Sequence, residues 1–296
     1  MTDTDTGARP GGLAGTSRAC AVVGSPIDHS LSPVLHLAAY RGLGLAGWTY
    51  QRIDVPAGRL ASVADSLARN GLDGLPCGGL SVTMPGKKEA LALAVRRTDA
   101  AIAIGAANTL VPIYRDAVVT GWSAHNTDVD GVIGALGEVG LGDASGARTL
   151  IIGAGGTAAA AVAAVAGLGA HRVRVVARNR ARAQPVVDAG AALQVAVDVR
   201  PWPDADTLVG TADLVISTVP HGAADHLADA SWRPGVVLLD AVYAGGDTPL
   251  MRAAAAAGAR VAGGRLMLLH QAVEQVRLMT GRRPDLEAMR TALDAA

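Results

Sequence analysis

The chain has 296 residues, half of them apolar and 18% charged, enough for packed cores in two ordinary domains and inconsistent with wholesale disorder. Its 26 acidic and 26 basic side chains leave a formal net charge of +0, so nothing suggests a general binder of nucleic acid or anionic membranes. The two cysteines, Cys20 and Cys77, form neither a spaced metal motif nor a disulfide framework, which fits a reducing, cytoplasmic setting.

Met1–Ser17 is polar, lacks the apolar run of a signal peptide, and is expected to be disordered. Short β-branched runs then predict strands at Ala19–Gly24, Thr49–Val55, Gly79–Val82, Thr149–Gly153, Arg172–Ala177, Asp213–Thr218, Val236–Asp240 and Arg260–Ala262. Between them, segments such as Pro56–Asn70 and Thr157–Leu168 carry apolar residues at helical spacing. This alternation predicts an α/β fold of βαβ units and parallel sheets. A helix from about Asp128 to Val139, followed by the Gly-rich stretch Gly137–Arg148, is expected to join a first domain of about 18–122 to a second of about 123–263. The last helices, from Gly264 to the end, could pack on either half by periodicity alone. The Ala/Val stretch Ala158–Ala166 is too short and too weakly apolar to span a bilayer.

The most interpretable segment is Thr149–Ala158, an apolar strand running through Gly153-Ala154-Gly155-Gly156-Thr157-Ala158 into an Ala-rich helix. In this fingerprint Gly153 permits the tight turn and Gly155 lets backbone approach a pyrophosphate. Ala158 is small enough for helix and strand to pack closely. The helix N-terminus offers free N–H groups to the phosphates. The next strand ends in Ala177-Arg178-Asn179-Arg180-Ala181-Arg182, without the carboxylate that holds a ribose 2′-hydroxyl. Forked guanidinium donors there suit a 2′-phosphate, so NADP is favoured over NAD.

Four further polar stretches stand out: Gly24–Pro33 (GSPIDHSLSP), Leu80–Lys87 (LSVTMPGK), Gly105–Thr109 (GAANT) and Asn126–Asp128 (NTD). Taken singly, each could be capping and turn chemistry. In this order, with the glycine turn, Asp240–Tyr243, Thr248–Leu250 and Gly264–Gln271, they closely resemble the shikimate dehydrogenase family over residues 18–282.

The resemblance implies an N-terminal α/β substrate domain, a Rossmann-like NADP-binding domain and an active site in the cleft between them. The C-terminal helices, about 264–296, would return to complete the substrate domain. Ser30 and Ser32, with Tyr243, would hold a substrate carboxylate; Ser81, Thr83, Asn108 and Gln271 would bind ring hydroxyls. Lys87 and Asp128 would form the catalytic pair, both also touching substrate, with Lys87 exchanging a proton with the reacting oxygen; for Asp128, orienting Lys87 and binding a ring hydroxyl are favoured over sharing the proton. On the cofactor side the resemblance implies Gly153 to Ala158, Arg178, Asn179, Arg182, Thr218, Gly264 and Met267. The implied reaction is reversible NADPH-dependent reduction of 3-dehydroshikimate to shikimate in chorismate and aromatic amino-acid biosynthesis. No metal and no nucleic-acid or membrane partner is expected; monomer and homodimer both stay open.

The sequence departs from the family pattern in places. Ser81 stands where many members have Asn, Ala124-His125 precede Asn126 where glycine is common, and Ala177 replaces the usual Asn after the second strand. Ser217-Thr218-Val219-Pro220 also differs from the more familiar stretch near the nicotinamide. His29 and His221 are read as structural, and Trp48, Trp122 and Trp202 as packing. Two rival readings remain: a quinate or quinate/shikimate dehydrogenase, and a non-catalytic NADP-binding sensor on the same fold.

Overall fold

The computed structural model describes residues 17–296; apart from Ser17, the expected N-terminal disorder lies outside the described residues. The first half comprises β1 (Arg18–Gly24), α1 (Ser32–Gly42), β2 (Trp48–Asp54), α2 (Leu60–Asn70), β3 (Cys77–Val82), α3 (Lys87–Leu93), β4 (Arg96–Arg97), α4 (Asp99–Ile104), β5 (Thr109–Arg115) and β6 (Val118–His125). Strand β1 is buried along its whole length, and both of its neighbours, β2 and β3, run parallel to it. This is the setting in which a continuous apolar run is stable as a strand. The sheet order is β2-β1-β3-β5-β6-β4.

The sheet is mixed rather than purely parallel. Strands β3 and β5 pair antiparallel, and β5 and β6 form an antiparallel hairpin. Neither hairpin strand was expected from the sequence. Pro112 lies inside β5 and Gly121 inside β6, residues that usually argue against a strand interior. The two-residue turn is Asp116-Ala117, both with positive φ (49° and 65°), where a glycine would have advertised the hairpin.

Helix α5 (Asp128–Glu138) leads into the second half: β7 (Thr149–Ile152), α6 (Gly156–Gly167), β8 (Arg172–Ala177), α7 (Gln184–Ala192), β9 (Ala196–Pro201), α8 (Ala205–Val209), β10 (Leu214–Ser217), β11 (Val237–Asp240), α9 (Pro249–Ala256) and β12 (Arg260–Gly263). All six strands are parallel, in the order β12-β11-β10-β7-β8-β9. Counted within this half, that is 6-5-4-1-2-3, the doubly wound Rossmann order, whose direction reverses between β7 and β10. Strand β9, an alternately exposed edge, was also missed in the sequence because Asp198 and Arg200 interrupt its apolar pattern. Residues Ala158–Val165 of α6 are all buried, so their small side chains let this helix lie deep against the sheet.

The chain ends in α10 (Gly264–Thr280) and α11 (Leu286–Asp294). Helix α10 packs along α5, and α11 packs on α1. Leu269, Val276, Met279, Met289 and Leu293 share one core with Cys20, Leu35, Tyr40 and Trp48, so the C-terminal helices close the first half. Periodicity left that choice open; the apolar faces of α1 and the first sheet decide it.

Candidate active site

Lys87 begins α3, just beyond β3, and Asp128 begins α5, just beyond β6. Their side chains meet: Lys87 Nζ donates to Asp128 Oδ2 at 2.5 Å, with the two side chains 22% and 9% exposed. The other carboxylate oxygen, Oδ1, accepts from Asn108 Nδ2 at 2.8 Å. Asn108 is fixed in turn. Its Oδ1 accepts from the Thr127 backbone N–H and the Thr109 hydroxyl, both at 2.8 Å, and its Nδ2 also donates to Thr127 Oγ1 at 3.0 Å. The Asp128 N–H donates to Asn126 Oδ1 at 3.2 Å. Both oxygens of Asp128 are therefore held, and the ammonium has one defined seat. Gln271 Oε1 stands 3.5 Å from Asn108 Nδ2, and Gln271 Nε2 donates to the Leu268 carbonyl at 3.0 Å.

Ser30 and Ser32 lie together at the start of α1, with the Ser30 hydroxyl donating to Ser32 Oγ at 3.2 Å. The Arg52 guanidinium donates to the Ser30 carbonyl at 2.6 and 3.0 Å and fastens this loop to β2. Thr83 follows β3 and is half-buried, between buried Val82 and exposed Met84. Ser81 is 3% exposed. Its hydroxyl donates to Gln275 Oε1 at 2.7 Å and accepts from the Tyr50 hydroxyl at 2.6 Å, so its one proton is already committed. Tyr243 is exposed on the loop after β11. Asp240 anchors that loop, accepting from the Thr248 hydroxyl at 2.7 Å and the Val242 N–H at 3.3 Å. Burial pushes the Asp240 carboxyl above its ordinary range, against the pull of these hydrogen bonds.

On the second sheet, Gly153 follows β7 with φ of +113°, and a side chain there would run into the Thr218 hydroxyl at 2.5 Å. That hydroxyl donates to the Ile152 carbonyl at 3.0 Å, so Thr218 helps hold the turn. Gly155 is the N-cap of α6 with no side-chain cap, and a Cβ on Gly155 or Gly156 would meet nothing within 4 Å. The turn thus presents open space beside uncapped N–H groups, at the reversal of strand order. This arrangement fits a dinucleotide pyrophosphate. Ala154 and Thr157 flank the turn half-buried, and Ala158 is buried against the sheet.

After β8, Arg178, Asn179 and Arg182 are exposed. Asn179 Oδ1 accepts from the Ala181 N–H at 2.9 Å and caps the short turn that follows. Arg178 lies 5.7 Å over the Trp202 ring, so Trp202 supports an arginine as well as packing. The Gly264 N–H donates to the Val242 carbonyl at 3.3 Å, and Met267 is buried in the core of the second half. His29 and His221 are both exposed and make no side-chain hydrogen bond among the described residues. Among the described residues no group of three or more His, Cys, Asp or Glu could hold a metal, and no helix is long and apolar enough to cross a membrane.

Sequence reasoning missed His36, Tyr50, Arg52 and Gln275. Gln275 carried one local signal: it lies four residues after Gln271, on the same helix face. Nothing in the sequence near His36 or Tyr50 reveals that they meet beneath the site.

Sheet order and glycine turn define a Rossmann-type dinucleotide fold joined to a first α/β half, with a lysine–carboxylate pair formed between Lys87 of that half and Asp128 at the start of the helix that links the two. Three family descriptions match the chain: shikimate dehydrogenase substrate binding domain over residues 22–110, shikimate/quinate 5-dehydrogenase over 135–227, and shikimate 5'-dehydrogenase C-terminal domain over 264–293. The shikimate dehydrogenase (NADP(+)) of Rubrobacter xylanophilus is 37% identical over 286 residues, covering 95% of this chain and 97% of the relative. The crystal structure of Mycobacterium tuberculosis shikimate dehydrogenase superposes with a TM-score of 0.81 at 44% identity, over 94% of this chain and 99% of that one. Quinate dehydrogenase from Corynebacterium glutamicum in complex with NAD superposes with a TM-score of 0.83 at 29% identity, over 95% of this chain and 100% of that one. The chain belongs to the shikimate dehydrogenase family.

Proposed function

We propose that the protein is an NADP-dependent shikimate dehydrogenase that reversibly reduces 3-dehydroshikimate to shikimate on the route to chorismate and aromatic amino acids. The observation that carries the reading is the Lys87–Asp128 pair, braced by Asn108 and Gln271 on a chain whose other half is a dinucleotide fold. The relative from Rubrobacter xylanophilus bears the name shikimate dehydrogenase (NADP(+)), which supports both substrate and cofactor.

We assign residues 18–122 with 264–296 to the substrate and 123–263 to NADP, with the reaction in the cleft between them. Ser30, Ser32 and Tyr243 hold the substrate carboxylate; Thr83, Asn108 and Gln271 take ring hydroxyls, with Ser81 behind them. The turn from Gly153 to Ala158, bordered by Thr218, takes the pyrophosphate. Arg178, Asn179 and Arg182 take the 2′-phosphate end, and Gly264 and Met267 border the nicotinamide. When bound, NADPH supplies the hydride for the ring carbonyl carbon. Lys87 gives a proton to the carbonyl oxygen as that oxygen gains charge, and takes it back in the oxidative direction. Asp128 orients the Lys87 ammonium and accepts from a ring hydroxyl.

The test follows nicotinamide absorbance with purified protein, giving shikimate and quinate separately, each with NADP and with NAD. Fast turnover with shikimate and NADP alone supports the reading. Preference for quinate or NAD overturns the specificity, and silence in all four combinations favours a non-catalytic NADP-binding protein.

A further inference from the structure

Behind the Lys87–Asp128 pair runs a buried polar relay whose hub is Gln275, in the middle of α10 and 2% exposed. Its Oε1 accepts from the Ser81 hydroxyl at 2.7 Å and pairs with His36 Nε2 at 3.2 Å. Its Nε2 donates to the Asn108 carbonyl at 3.2 Å and to Thr109 Oγ1 at 3.1 Å. A glutamine amide has two donor hydrogens and two acceptor lone pairs, so this side chain is saturated. We propose that Gln275 is a positioning residue that sets the orientation of the Asn108 amide, and through it the seat of Asp128 and Lys87, for the reaction proposed above.

Donor directions carry the inference. Because Thr109 Oγ1 receives a proton from Gln275, its own hydrogen is free to go to Asn108 Oδ1 at 2.8 Å. The Thr127 N–H reaches the same oxygen at 2.8 Å. Two donors converging on Oδ1 leave only one orientation for the amide, with Nδ2 turned to Asp128 Oδ1. A flipped Asn108 would set its NH2 against both donors and its oxygen against a carboxylate.

The far side of the hub is equally directional. Gln275 Oε1 is an acceptor, so His36 presents Nε2–H to it and leaves Nδ1 to accept from the Tyr40 hydroxyl at 3.3 Å. Tyr50 stacks on His36 with ring centroids 4.0 Å apart and donates to Ser81 at 2.6 Å. Ser81 is short, and the long Gln275 side chain reaches across to it from α10. The relay gathers side chains from α1, β2, β3, β5 and α10 behind the site. Gln275 itself is sealed from solvent, so it acts through Asn108 rather than on the substrate.

The test uses the full chain with Gln275→Leu, Thr109→Val and Gln275→Glu. It measures kcat and KM for shikimate, the Kd for NADP, thermal stability, and the side-chain amide resonances of Asn108 in 1H–15N spectra. Removing the relay with Gln275→Leu should lower kcat roughly 10- to 100-fold, leave the NADP Kd unchanged and move the Asn108 amide signals. Thr109→Val keeps the shape, breaks the same link and decides the matter if Gln275→Leu does not fold. Gln275→Glu regains a donor only when protonated, so its kcat should recover as pH falls, along a limb absent from the parent. A folded Gln275→Leu or Thr109→Val protein with parental kcat and unmoved Asn108 signals overturns the inference. The amide signals decide it even if the parent turns over neither shikimate nor quinate, a result that would instead overturn the proposed function.

Discussion

Acid should destabilise this protein through one buried imidazole. His36 is fully buried; Tyr50 stacks on it, Tyr40 reaches Nδ1 and Gln275 reaches Nε2. Among the described residues no carboxylate pairs with it. Burial pushes its pKa down from 6.5 to about 3, only partly opposed by the hydrogen bond to Gln275. The unfolded chain therefore binds this proton below pH 6.5 while the native state refuses it until about pH 3. Native stability from this group is complete at neutral pH and is lost as pH falls. Linkage gives a loss of about 2 kcal/mol between pH 7 and pH 5, and about 4 kcal/mol by pH 3. Burial also lowers the His125 pKa and raises those of Asp130 and Asp240, so the effect of His36 is isolated by comparison with a variant that lacks only this imidazole. The assay is urea unfolding followed by tryptophan fluorescence at pH 7, 6 and 5, comparing the parent with His36→Phe. Trp48, 5.4 Å from the Tyr40 ring, reports from the same core. The variant keeps a ring against Tyr50 but cannot titrate, so its stability should fall less by about 2 kcal/mol over that window. Equal pH dependence in the two proteins would refute the reasoning.

Lys87→Ala should lower kcat by about 10²- to 10⁴-fold with NADP affinity preserved, measured by nicotinamide absorbance and by a separate binding titration. Near-parental turnover would remove Lys87 from the proton transfer. Arg178→Ala should raise the KM for NADP by roughly 10- to 100-fold, the loss of one charge-assisted hydrogen bond, and leave the KM for NAD unchanged. Equal losses for both cofactors would argue against contact with a 2′-phosphate. Gly155 has an extended backbone (φ −89°, ψ −172°) and open space at its Cβ position. Gly155→Val should therefore leave thermal stability close to the parent's while weakening NADP by more than about tenfold. Parental affinity would show that the pyrophosphate does not approach this turn.

Local chemistry was legible in the sequence wherever a residue type is demanded by its own neighbourhood. The turn at Gly153, the uncapped start of α6 and the arginines after β8 all follow from short-range pattern. Predicted strand ends mostly fell within a residue or two of those observed, as at β1, β7, β8 and β12. The β5–β6 hairpin was hidden because Asp116-Ala117 turns the chain without a glycine, and β9 because its outward positions are charged. At the site, the relevant residue types could be picked out singly, but the bonds between them could not. Ser81 was expected to face the substrate; its proton goes to Gln275, 194 residues away in sequence.

By itself, then, the sequence determined the alternation of strand and helix, the dinucleotide turn, the basic end of the second Rossmann strand, and the set of side chains able to carry the chemistry. These are properties of short segments, set by backbone sterics, periodicity and charge. Only the tertiary structure decided that α10 and α11 close the first half, that Asp128 is held at both oxygens, and that Gln275 joins His36, Ser81, Thr109 and Asn108. The physical reason is that a buried hydrogen bond takes its direction from every donor and acceptor around it, and here those partners come from strands and helices far apart in sequence.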